Sequence, residues 1–148
     1  MWKEILTNYL RRAEFEEARQ LIAEGQKLGD RDALLFSEGM TYQEEAGRWT
    51  QESRRLGAAL KGTEARKAAD QARQLHAKAG SVFLKVVNSL STGASPELYR
   101  RAVLRAADNL YEGEDYVRAV VYYRMFMDSA TTPGERGQAL LRSGEALA

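Results

Sequence analysis

A chain of 148 residues with 22 Lys and Arg against 21 Asp and Glu carries a net charge of +1, too small an excess to demand a nucleic-acid or anionic-membrane partner. The absence of cysteine excludes a disulfide framework and thiol chemistry but leaves the compartment undetermined. Two prolines, no run of β-branched residues and abundant Ala, Leu, Arg and Glu argue against a sheet and for an all-α fold, read as one domain over residues 1–148.

Residues 1–29 predict two short helices, because apolar residues recur at three- and four-residue steps. Trp2, Ile5, Leu6 and Tyr9 line the first, and Phe15, Ala18, Leu21 and Ile22 the second. Gly29 followed by Asp30 reads as a helix stop and a new cap. Over 31–61, Leu34, Leu35, Gly39 and Tyr42 predict a helix, Gly47 a turn, and Trp49 the start of a further helix with a thin apolar face. Residues 63–91 support two readings. A hairpin turning at Gly80–Ser81 follows if the 34-residue interval from Phe15 to Trp49 to Phe83 marks a repeat. A single helix of about 29 residues, roughly 43 Å long, follows from an unbroken stripe through Ala68, Ala72, Leu75, Ala79, Phe83, Val86 and Leu90. The single helix is favoured, since one internal glycine costs only about 1 kcal/mol.

Gly93 then reads as a stop, Ser95 as a cap and Pro96 as a first-turn residue whose missing amide costs nothing. Leu104, Ala107, Leu110 and Tyr111 predict one helix face, and Tyr116, Ala119, Val120, Tyr123 and Phe126 the next. Between them Gly113 is expected to take the left-handed turn and Asp115 to cap. Thr132, Pro133 and Glu135 form a capping-box pattern before a final helix carrying Leu140, Leu141, Gly144 and Leu147 on one face. The N-terminus lacks the apolar core of a signal peptide, and no stretch approaches the roughly 20 apolar residues of a membrane span.

The hairpins at 1–29 and 104–126, with their small and aromatic positions, resemble the tetratricopeptide repeat, a helix–turn–helix unit of about 34 residues. Ala107 and Leu110 match the family's first-helix positions, and Tyr116, Ala119 and Tyr123 its second-helix positions. Phe126 is larger than the small residue usual there. The resemblance implies a right-handed α-α superhelix of about eight helices, made irregular by the long helix near 63–91. The last segment reads as a first helix with no second, so the chain is expected to be a fragment of a longer array. That open helix also suggests self-association.

By the same resemblance the function is that of a scaffold or adaptor binding a partner peptide or protein on the concave face formed by first helices. Lys3, Thr7 and Arg11 from the first unit, with Arg101, Arg105 and Asp108 from the 96–126 unit, would face that groove. Lys3 matches the lysine of the family's chaperone-binding members, but Thr7 replaces their asparagine, so binding of a terminal carboxylate is not implied. Nothing points to a catalyst, a cofactor or a metal: His76 is the only histidine, and no carboxylate stands at ligand spacing beside it. The alternative is an all-α enzyme or small-ligand-binding domain with a closed pocket beside 63–91, lined by Tyr42, His76 and arginines. A nucleic-acid role for Arg54, Arg55, Arg100 and Arg101 conflicts with the small net charge. The expected partner is therefore a protein, with no nucleic acid and no membrane insertion.

Overall fold

The computed structural model describes residues 2–27, 29, 31–90, 95–129 and 132–147. Among them are seven helices and no strand: α1 (Trp2–Arg11), α2 (Phe15–Gln26), α3 (Arg31–Ala58), α4 (Gly62–Leu90), α5 (Pro96–Glu112), α6 (Tyr116–Asp128) and α7 (Pro133–Leu147). Each packs chiefly on its neighbours in sequence, and α3 also touches α5 across α4.

Three of the connections are the same turn. In each, one residue adopts the left-handed conformation: Ala13 at φ 58°, Leu60 at 60° and Glu114 at 65°. Its amide donates three residues back, to Leu10, Gly57 and Tyr111, and the following amide donates five back, to Tyr9, Leu56 and Leu110. This double closure satisfies carbonyls that a helix end leaves without partners. The residue after the turn, Glu14, Lys61 or Asp115, offers its carbonyl to the amide of Ala18, Ala65 or Ala119, which starts the next helix. An alanine thus recurs at the fourth position of each second helix, where the pair is still close; Ala18 and Ala119 are fully buried.

Two glycine expectations fail here. Gly113 has φ −82°, and the left-handed residue is its neighbour Glu114. Gly113 serves close approach instead: a Cβ there would stand 3.2 Å from the backbone nitrogen of Ala77 on α4. Gly47 marks no turn, because α3 is continuous through it for 28 residues, and the expected eighth helix is the second half of α3. Two hydrogen bonds show why continuity wins. Ser53 Oγ donates to the Ala65 carbonyl (2.8 Å) near the turn, and Ser89 Oγ donates to Asp32 Oδ1 (2.5 Å) at the far end. α3 and α4 therefore run antiparallel along their whole length, and that packing outweighs the roughly 1 kcal/mol of an internal glycine. The 29-residue α4 is the single long helix expected over 63–91.

The hairpin turns fall 47 residues apart (Ala13 to Leu60) and then 54 (Leu60 to Glu114), so the 34-residue interval is not the spacing of the hairpins. The core centres on Phe83, fully buried, which meets Phe36 edge-to-face at 5.1 Å between ring centroids. Val86, Leu90, Val103, Leu110, Tyr123 and Phe126 extend it across α4, α5 and α6. A separate small cluster of Leu6, Ala18, Ile22 and Leu34 holds α1 and α2 to the start of α3. Glycines set the closest crossings: a Cβ on Gly39 would meet the Phe83 ring at 2.8 Å, and one on Gly80 would meet Leu110 at 3.2 Å.

Caps follow the sequence in part. Asp115 accepts from the Arg118 amide (3.3 Å), and Thr132 and Glu135 exchange both bonds of the capping box. Ser95 occupies the cap position before Pro96, but its hydroxyl makes no capping bond. Gly29 is left-handed, at φ 123°; Asp30 and Gly93 lie outside the described residues. Of the five aromatics clustered at 111–126, Tyr123 and Phe126 are buried, Tyr111 and Tyr122 are half-buried, and Tyr116 rather than Tyr122 is the exposed one. The apolar face of α7 (Leu140, Leu141, Leu147) is exposed.

Candidate functional site

Because α3 and α5 flank α4, a groove opens between them with α4 as its floor and α7 at one end. It encloses about 460 Å³, with Gln43, Thr50 and Arg54 on α3, His76 on α4, Arg105, Asp108, Asn109 and Glu112 on α5, and Arg142 on α7 among its lining residues. A second, smaller cavity continues toward the turns past Ser53, Asp70 and Arg73, sharing Thr50, Arg54, His76 and Glu112 with the first.

The floor is a polar network spanning three helices. Asn109, 1% exposed, uses both amide hydrogens: Nδ2 donates to Gln43 Oε1 (2.9 Å) and to the Arg105 carbonyl (2.8 Å). Its Oδ1 stands 2.8 Å from His76 Nδ1. With Nδ2 fully spent, Oδ1 is the acceptor, so His76 Nδ1 is the donor of this bond. A buried amide left unpaired is expensive, so this network fixes the lateral register of α3, α4 and α5 while giving the groove a polar base.

Asp108 separates this groove from a third cavity, of about 330 Å³, between α5, α6 and α7. Tyr123 donates to Asp108 Oδ1 at 2.5 Å. Burial pushes the Asp108 carboxyl above its ordinary range, and the Tyr123 hydrogen bond and nearby Arg142 and Arg105 only partly offset this. Burial, then the adjacent carboxylate, pushes the Tyr123 phenol far upward, so it remains a donor. Around this pair α7 is held by Arg142 to Glu112 (3.3 Å), by Arg142 over the Tyr111 ring (4.9 Å), by Tyr111 to Glu145 (2.9 Å), and by Arg100 paired with Glu135. Arg54 and Arg105 differ from these: among the described residues neither guanidinium has a hydrogen-bond or ion-pair partner, although both line the groove.

Of the residues expected to face a partner, Arg105 and Asp108 line this groove. Arg101 is exposed and lies over the Phe36 ring at 4.9 Å, beside the groove rather than in it. Lys3, Thr7 and Arg11 are exposed on α1, where Thr7 Oγ1 donates to the Lys3 carbonyl, and none of the three reaches the groove. Tyr42 packs under Arg19 (4.6 Å), which pairs with Glu45 (2.8 Å), and is likewise absent from the lining. Gln43, Arg142 and Asn109 were missed as site residues. Asn109 left one local sign, a polar amide between Ala106 and Leu110 on an apolar stripe.

Among the described residues no group of three or more His, Asp or Glu is placed to hold a metal ion, and no helix is long and apolar enough to cross a membrane. No protein-family model, no curated protein and no solved structure matches the chain.

Proposed function

We propose that this chain is a tetratricopeptide-like superhelical interaction module without catalytic activity, whose α3–α5 groove binds an extended segment of a partner protein. One observation carries the reading: an open groove whose floor is tied together by the buried Asn109 amide and whose walls hold two guanidiniums, Arg54 and Arg105, without a hydrogen-bond or ion-pair partner among the described residues. Arginine's planar fork suits bidentate recognition of carboxylates, and a preformed floor means binding need not reorganise the protein. The three copies of one hairpin turn support the repeat reading. The uneven 47- and 54-residue spacing makes it a degenerate array rather than a regular one.

The test is to select binding peptides from a random display library on the intact chain and measure affinity by fluorescence anisotropy. The double variant Arg54→Glu, Arg105→Glu is expected to weaken binding by about tenfold or more, with helical circular dichroism unchanged. Selected peptides that bind this variant as tightly as the parent would rule the groove out.

A further inference from the structure

The groove makes no use of the tip of the α3–α4 hairpin. Among the described residues, the arm's last ion pair with the rest of the fold joins Arg73 to Glu114 in the α5–α6 turn (3.5 Å), and from Arg73 back to Gly62 α4 runs on for roughly 16 Å. At its apex the chain reads Gly57-Ala58-Ala59-Leu60, all exposed, with Leu60 93% exposed. Leu60 is also the left-handed residue of its turn, at φ 60°. A β-carbon is disfavoured there and glycine is the default, so the largest aliphatic side chain among the three equivalent turns sits where the fold needs none. Behind the apex, residues 48–67 hold Arg48, Arg54, Arg55, Lys61, Arg66 and Lys67 against only Glu52 and Glu64, and all six cations are exposed. On a chain whose net charge is +1, this leaves the remainder negative and concentrates the positive charge at one end of one hairpin.

We propose that this tip docks on an anionic phospholipid surface, with Leu60 entering the boundary of the acyl region and a collar of Lys61, Arg66 and Lys67 meeting the headgroup phosphates, while Arg55 is held by Glu52 (2.9 Å). The spacing fits: Arg66 stands about 6 Å behind the start of α4, the depth that separates an interfacial apolar anchor from the headgroups. The exposed apex favours lipid over nucleic acid, for which a basic collar suffices and an extended apolar side chain adds nothing. No helix needs to cross the bilayer. The proposed anchor and collar include no residue that lines the groove.

Co-sedimentation of the intact chain with phosphatidylcholine vesicles, with and without phosphatidylserine, tests it. Binding is expected only with phosphatidylserine and to fall with salt. Lys61→Glu, Arg66→Glu and Lys67→Glu together are expected to weaken it on the order of a hundredfold, about fivefold or more for each site changed. Leu60→Gly is the decisive variant. It relieves the left-handed strain and should raise the thermal midpoint, yet it should weaken vesicle binding about tenfold. Ala13→Gly relieves the same strain in an equivalent turn and should leave vesicle binding unchanged. Absence of phosphatidylserine-dependent binding overturns the proposal, as does binding that Leu60→Gly leaves intact. Random duplex DNA bound more tightly than the vesicles and indifferent to Leu60→Gly would reassign the tip to nucleic acid.

Discussion

Asn109 is one amide serving three helices, so its loss is felt on all of them. Asn109→Ala strips partners from His76 Nδ1, Gln43 Oε1 and the Arg105 carbonyl, and should cost about 2 to 3 kcal/mol in urea unfolding with an unchanged denaturant slope. Asp108 makes a prediction of opposite sign. Its carboxyl is raised above the ordinary 3.8 chiefly by burial, so the folded state holds the proton more tightly than the unfolded one. The stability this group contributes is therefore present below the unfolded value and lost as pH rises through the higher folded value. Asp108→Asn keeps an acceptor for Tyr123 and sheds the buried charge. It should be more stable than the parent at neutral pH, and the difference should vanish in unfolding curves recorded below pH 3.8. The family resemblance put Arg105 and Asp108 on an expected groove face, and both line the α3–α5 groove. The sequence did not show the Gln43–Asn109–His76 network, since that depends on how α3, α4 and α5 slide against one another, which no local pattern encodes.

At the scale of elements, α4 was legible and α3 was not, for the same reason. An apolar stripe through Ala68, Leu75, Phe83 and Leu90 declares a continuous helix whatever its internal glycine. The second half of α3 has no such stripe, so Gly47 looked like punctuation although the packing of α4 along it decides the matter. Two alanine substitutions separate the roles of its glycines. Gly47 meets nothing within 4 Å, whereas a Cβ on Gly39 would press on the buried Phe83 ring at 2.8 Å. Gly47→Ala should stabilise by about 1 kcal/mol, and Gly39→Ala should destabilise by about 1 to 3 kcal/mol through overpacking. Thermal unfolding of both variants checks the pair. A destabilising Gly47→Ala would mean that the chain does turn there.

Across the whole molecule, packing between sequence neighbours makes stability uneven. The α1–α2 hairpin rests on a cluster of four buried side chains, while α4, α5 and α6 share the large core around Phe83. Amides of α1 and α2 should exchange with deuterium well before those of α4 and α5. The all-helical class and the hairpin style were legible because caps and periodicity are local. The unequal hairpin lengths were not, and neither was a groove lined by Arg54, His76, Arg105 and Arg142 without Lys3, Thr7 or Arg11. The most direct measurement is an NMR titration of the labelled chain with a selected peptide. Binding in the groove predicts shifts concentrated at Gln43, Thr50, Arg54, His76, Arg105 and Asn109. Shifts concentrated instead on α1, or on the outer face of α6 around Val117 and Val121, would contradict it.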